Sequence, residues 1–383
     1  MKTIRILLVG GGTGGHIYPL IAVARRIQEM VAPTGADLDI RYFGSPGIFR
    51  DELNRADIRI ERIIPSKLRR YFDIQNMFDI FRFLLGLMQA FVKLYVFMPD
   101  VAFSKGGPGA LAVTLMCRFY RIPLVVHESD VVPGITNRIS ARGARLLALG
   151  FPNAEVRIPR IRGEVRIVGN PVRSVLLGDE TPETAKSLLN FDPTEPLIFV
   201  WGGSQGAEAL NAFVFQNIEA LCSEFQVFHQ VGKDRYETYK NEFAFISKAF
   251  PEALLRRYRF VPYLEEELGY ALRAADIVVS RAGASAITEI AATGRPSILV
   301  PLPGSANDHQ RENAYAYAES GAAIVLTEEN LLINLFLEAV GGLLGDEKKR
   351  AAMSAAARAF FIPDADRTLA TELLHIAHAP QIP

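Results

Sequence analysis

The sequence predicts an α/β protein built from two doubly wound parallel-sheet domains, and three observations predict it. At 383 residues the chain exceeds what one hydrophobic core usually organises. A β-rich run that ends in glycines and leads into a helical pattern occurs twice, once near the start of each half. Short apolar runs then alternate with helical patterns, as in parallel sheets covered by helices on both faces. Each domain is therefore expected to be Rossmann-like.

In chain order, Ile4–Val9 is the first expected strand, and Gly10-Gly11-Gly12-Thr13-Gly14-Gly15-His16 is its glycine loop. Ile17, Leu20, Ile21, Ala24 and Ile27 then recur at helical spacing. Asp39–Phe43, Val101–Phe103, Leu124–His127 and Leu146–Leu149 are the other strands expected in the first half. Turn formers cluster over 168–184, at Gly169-Asn170-Pro171, Gly178-Asp179 and Pro182. They divide the chain into domains 1–168 and 169–365. The second half opens with Leu197–Trp201 and the loop Gly202-Gly203-Ser204-Gln205-Gly206-Ala207, followed by a helical pattern through Leu210, Phe213 and Val214. Its further strands are Val227–Gln230, Arg259–Val261, Ile277–Ser280 and Ser297–Pro301. A closing helix over Asp366–Ala377 uses Leu369, Leu373, Leu374 and Ile376, and the segment 366–383 is expected to pack back on the first domain.

The composition, 49% hydrophobic and 22% charged, excludes a disordered, collagen-like or disulfide-scaffold chain. Cys117 and Cys222 offer neither a disulfide framework nor metal spacing, so a reducing compartment is expected. The apolar run after Lys2 and Arg5 stops at Gly10, too early for a secretory signal. The net charge of zero hides an asymmetry. Residues 1–165 carry 23 Lys and Arg against 14 Asp and Glu, a balance of +9, and the remainder carries −9. The basic half is expected to meet something anionic. It has no recognisable nucleic-acid module. The segment Lys67–Met98 begins with Lys67, Arg69 and Arg70 and continues with a wide apolar face through Phe72, Phe78, Phe81, Leu84 and Met88. Such a helix suits an anionic bilayer interface or the core of the first domain. Arg82 and Lys93 interrupt the run Ile80–Met98, which is therefore not expected to span a membrane.

A glycine loop between strand and helix lets the backbone approach an anion, and the helix N-terminus offers free N–H groups and a positive partial charge. One such loop also satisfies any tight turn. Two of them point to phosphate-bearing ligands. Neither is a Walker A loop, and neither fits the dinucleotide fingerprint. The densest constellation is 276–314. Arg281-Ala282-Gly283-Ala284 follows a strand, Ser285 is positioned to cap the next helix, and Glu289 sits in that helix's second turn. A carboxylate there suits two ribose hydroxyls or the helix dipole. His375 with His378, and the Asp-x-Asp runs at Asp37 and Asp364, lack further ligands and read as surface features, so no metal site is expected.

The ordered set of motifs resembles glycosyltransferase family 28, the bacterial N-acetylglucosamine transferases that act on a lipid-linked peptidoglycan precursor. The residues that carry the resemblance are Gly11–His16 with Pro19, His127-Glu128 with Gly134 and Asn137-Arg138, and Gly169-Asn170-Pro171-Val172-Arg173. They continue with Gly202–Ala207 and Leu210-Asn211, then Ser280–Ala284 with Glu289, and Asp308-His309-Gln310 with Asn313-Ala314. The resemblance implies a GT-B fold, two domains facing across a cleft. It implies inverting, metal-independent transfer from UDP-N-acetylglucosamine to the muramyl 4-hydroxyl of undecaprenyl-linked lipid I, giving lipid II. It also implies a peripheral location on the cytoplasmic face of the membrane and no cofactor.

By the same resemblance, Ser204, Gln205 and Gly206 form the donor phosphate loop and Arg173 adds a cation. Glu289 binds the ribose hydroxyls, Gln310 the donor sugar, and backbone near Leu264 and Ala284 reads uracil. Thr13, Gly14 and Gly15 lie near the acceptor diphosphate, and His16 or Asp130 serves as base or acceptor-positioning group. The chain departs from the family pattern at Ser129-Asp130, where Gln-Asn is usual, and at Pro108, where Tyr often follows the glycine pair. Both departures belong to the acceptor side. The alternatives are a GT-B glycolipid glucosyltransferase, a UDP-N-acetylglucosamine 2-epimerase, and a non-enzymatic nucleotide-sugar carrier.

Overall fold

The computed structural model describes residues 3–66, 75–158, 161–203 and 206–378. The chain divides into two compact units, Met1–Val172 with Ile362–Pro383, and Arg173–Phe361.

The first unit holds a wholly parallel sheet of β1 (Ile4–Gly10), β2 (Leu38–Gly44), β3 (Arg59–Arg62), β4 (Val101–Ser104), β5 (Leu124–Glu128), β6 (Leu146–Leu149) and β7 (Glu164–Ile167). The order across the sheet is β3-β2-β1-β4-β5-β6-β7. The strand order reverses between β1 and β4, so the loops leaving those two strands open a crevice at their carboxyl ends. The helix Gly14–Val31 buries Ile17, Leu20, Ile21, Ala24 and Ile27 against the sheet, the face its spacing foretold. The helix Ala365–Ile376 packs into the same core through Leu369, Leu373 and Leu374. Arg26 donates to Asp366 at 3.1 Å between these two helices.

The second unit repeats the plan with β8 (Leu197–Trp201), β9 (Gln226–Gln230), β10 (Tyr258–Val261), β11 (Ile277–Ser280), β12 (Ser297–Leu299) and β13 (Ala323–Val325), in the order β10-β9-β8-β11-β12-β13. Its switch point lies between β8 and β11. The predicted glycine loop after β8 and the tight loop Arg281–Ala284 after β11 leave strands at that point.

Three differences from expectation are informative. β3, β7 and β13 are sheet-edge strands of three or four residues, half-exposed and, in β3 and β7, charged. They lack the apolar run that marks an interior strand. The helix after β11 begins at Ala284 with Gly283 as its N-cap and no side-chain cap, so Ser285 lies inside the first turn. The helix Gln75–Phe97 contains a stretch, Phe78–Phe97, long and apolar enough to cross a bilayer by length and composition, despite Arg82 and Lys93. One of its faces is packed: Ala90, Leu94 and Phe97 are buried. Phe78, Phe81, Leu84, Met88 and Val92 remain exposed. Lys67, Arg69, Arg70 and Phe72 lie outside the described residues.

Candidate active site

At the first unit's switch point two glycine loops touch. A Cβ on Gly11 would stand 2.8 Å from the Pro108 ring, and one on Gly107, at φ +90°, would stand 2.8 Å from Gly11. Only glycine allows this approach. Gly107 also lies under the imidazole of His16, whose Cε1 would be 3.2 Å from a Cβ there. Thr13 Oγ1 and His16 Nδ1 are hydrogen-bonded at 2.8 Å, which fixes the ring on the loop. His16 is half-buried, while Thr13 and Gly15 are exposed and Gly14 is buried.

Beside them, β5 ends in His127-Glu128. Alternation along a strand sends these side chains to opposite faces, and their partners differ accordingly. His127 Nε2–H donates to the Gly169 carbonyl at 2.8 Å, leaving Nδ1 to accept from Lys105 Nζ at 2.5 Å. Burial and the Lys105 cation hold the imidazole well below its usual pKa, so it is neutral and no proton acceptor for a substrate. Glu128 accepts from the backbone N–H groups of Asp130 and Gly134 and from Asn137 Nδ2, each at 3.0 Å. Burial, aided by Asp130, pushes its carboxyl up to about 7, against the pull of those donors. Asp130, half-buried, sits on the turn they shape.

In the second unit, Arg173 Nε donates to Glu289 Oε1 at 2.8 Å and Nη2 to Oε2 at 3.0 Å. Nη1 reaches the Leu264 carbonyl at 3.5 Å. The structure thus joins three predicted donor-site residues. Arg173 holds the Glu289 carboxylate by both of its oxygens. Gly206, at φ +77°, would place a Cβ 2.3 Å from the Val231 carbonyl, so this glycine packs on the residue that follows β9. Ser204 and Gln205 lie outside the described residues. Gln310 Oε1 accepts from the Leu302 N–H at 3.0 Å, which anchors it to the loop after β12. Ala284 opens its helix at the carboxyl end of β11.

Two residues were not assigned roles from the sequence. Gln230 Nε2 donates to the carbonyls of Gly203 at 2.9 Å and Pro262 at 3.1 Å, strapping the residues just after β8 to the segment that leads to Leu264. Among the described residues its Oε1 is buried without a hydrogen-bond partner. Lys105, 2% exposed, is bonded to His127 and to Ser129 of the turn after β5. A lysine amid Val101-Ala102-Phe103-Ser104 and Gly106-Gly107 was the available signal.

Comparison with known proteins agrees with this geometry. Residues 6–148 match the glycosyltransferase family 28 N-terminal domain and residues 197–369 match its C-terminal domain. A Clostridium tetani protein is 33% identical over 90% of this chain and 91% of its own length. A Treponema denticola protein is 34% identical over 87% and 86%. Both are named UDP-N-acetylglucosamine–N-acetylmuramyl-(pentapeptide) pyrophosphoryl-undecaprenol N-acetylglucosamine transferase. The crystal structure of Acinetobacter baumannii MurG superposes with a TM-score of 0.72, at 25% identity, covering 98% of this chain and 100% of that one. A Neisseria meningitidis UDP-GlcNAc 2-epimerase structure shares the fold, with a TM-score of 0.65 at 12% identity, covering 98% of this chain and 100% of that one.

Proposed function

The chain belongs to glycosyltransferase family 28, and on that premise we propose how its residues divide the work of one reaction. The reaction is transfer of N-acetylglucosamine from UDP-N-acetylglucosamine to the muramyl 4-hydroxyl of lipid I, giving lipid II. The acceptor oxygen attacks the anomeric carbon from the face opposite the nucleotide, and the bond from that carbon to the phosphate oxygen breaks. UDP departs with the bonding pair and the configuration inverts. Negative charge grows on the diphosphate as it leaves, and loop amides with a helix N-terminus stabilise such charge without reorganising.

On the donor side, Glu289 takes the ribose hydroxyls while Arg173 holds it in place. A carboxylate has about four lone-pair sites, so two remain when the guanidinium occupies two. The loop ending at Gly206 receives the diphosphate, the backbone at Leu264 and Ala284 reads uracil, and Gln310 meets the sugar. On the acceptor side, Thr13, Gly14 and Gly15 receive the lipid-linked diphosphate, and His16 or Asp130 takes the proton from the 4-hydroxyl.

The observation that carries this reading is that each unit sets glycine loops at its switch point, with Arg173, Glu289 and Leu264 joined on the second. The epimerase alternative shares the fold at 12% identity, whereas a transferase relative is 33% identical over 90% of the chain. The test is turnover of UDP-N-acetylglucosamine with a short-chain lipid I analogue, in chelator. Acceptor-dependent product supports the reading. Epimerisation without acceptor, or no product, overturns it.

The acceptor is anchored in a bilayer, and the exposed apolar side chains of the helix Gln75–Phe97 supply a surface to meet it. Peripheral binding at an anionic leaflet fits a helix whose other face is packed in its own unit. Flotation with vesicles, with and without anionic lipid, checks this; no binding to either removes it.

A further inference from the structure

The two departures from the family pattern form one physical unit. Lys105 follows β4, its N–H bonded to the Val9 carbonyl at 2.9 Å. Its ammonium donates to His127 Nδ1 at 2.5 Å and to the Ser129 hydroxyl. Next along the chain, Gly106 packs on Asn137 and Gly107 on Gly11 and the His16 ring. One loop therefore touches both the segment that carries His16 and the turn that carries Asp130.

Burying an ammonium among neutral acceptors is costly, so its presence needs a reason. The charged and titratable groups around it are Glu128 and His127 from β5, Asp130 from the turn after β5, and His16 beyond Gly107. The two carboxylates pull its charge into existence, while burial pulls the other way and brings its pKa down to about 8.

We propose that Lys105 is a positioning residue for the acceptor: its buried ammonium clamps Ser129 and His127, and so holds the Asp130 turn in register with the His16 loop. The proposal rests on the transferase reading above. The clamp is strongest while the ammonium is charged, and it weakens as pH rises through about 8.

Lys105→Met keeps the length and apolar stem but removes the donors and the charge. Ser129→Ala removes one acceptor from the other side, at a smaller risk to folding. Steady-state kinetics with both substrates, from pH 6 to 10, test the clamp, with a thermal melt of each variant. The expected result for Lys105→Met is at least a tenfold loss in kcat/KM for the lipid I analogue, with the KM for UDP-N-acetylglucosamine within twofold. The wild-type and Lys105→Met profiles should converge above about pH 8, where wild type loses the same charge. Ser129→Ala should show part of the loss, and the double variant should be no worse than Lys105→Met. If Lys105→Met does not fold, the acceptor-only loss in Ser129→Ala decides. Equal losses for both substrates, or parallel pH profiles, overturn the clamp. Absence of transfer by the wild type instead overturns the functional reading on which it rests.

Discussion

The guanidinium of Arg173 grips the carboxylate of Glu289 from both ends, Nε to Oε1 at 2.8 Å and Nη2 to Oε2 at 3.0 Å. Glu289 is 6% exposed, so removing its partner would leave a buried charge uncompensated. Charged hydrogen bonds of this kind are worth about 1.5–3 kcal/mol each, a factor of about 10 to 150 in affinity. Arg173→Ala and Glu289→Ala should each raise the KM for UDP-N-acetylglucosamine by about tenfold or more, and together by less than the product. Arg173→Lys should not rescue, because a single ammonium cannot supply the fork. Initial-rate kinetics on the three single variants and the double variant check this.

Gln230 links Gly203 to Pro262, so it ties the end of β8 to the segment after β10, the two stretches proposed to receive the diphosphate and the base. Gln230→Leu leaves two carbonyls without their donor. The expected result is a loss of about 1–3 kcal/mol in UDP affinity, with uridine affinity changed much less. Calorimetric titration with UDP and with uridine measures the difference.

His16 is fixed by Thr13 Oγ1 at 2.8 Å and lies over Gly107. If it is the base, His16→Ala should lower kcat by about 10² to 10⁴. A fall under about tenfold shifts the role to Asp130. Gly107→Ala should also impair turnover, since it adds a methyl 2.8 Å from Gly11 at a φ of +90°.

Phe81 and Met88 lie seven residues apart on the exposed face of the helix Gln75–Phe97, at 62% and 66% exposure. Phe81→Glu with Met88→Glu should abolish vesicle flotation and slow transfer to membrane-embedded acceptor. Transfer to a water-soluble short-chain acceptor should be unchanged, because neither side chain supports the core.

His229 is wholly buried between Tyr258 OH at 3.0 Å and Asn211 Oδ1 at 2.9 Å, and burial lowers its pKa to about 3. The unfolded chain takes up a proton at this imidazole below about pH 6.5, while the folded chain does not. Its contribution to stability is therefore complete above about pH 6.5 and lost as pH falls toward 3, at about 1.4 kcal/mol per pH unit. The stability gap between wild type and His229→Gln should narrow by that amount per unit in urea titrations between pH 6.5 and 4.

The strand, glycine loop and helix at the head of each half were legible because each is a local pattern. An apolar run, a residue type free of Cβ and a 3.6-residue period all read within about twenty residues of chain. Interior strands such as Leu146–Leu149 and Ile277–Ser280 appear with the expected bounds, since burial on both faces demands continuous apolar sequence. The edge strands β3, β7 and β13 carried no such demand and escaped, whereas the edge strand β10 was legible.

What tertiary structure alone decided is which distant side chains meet. Arg173 and Glu289 stand 116 positions apart, and Lys105 reaches Ser129 across 24. No periodicity encodes those pairings. They arise where parallel strands end side by side at a reversal of strand order, and there a buried charge persists only by finding its partner.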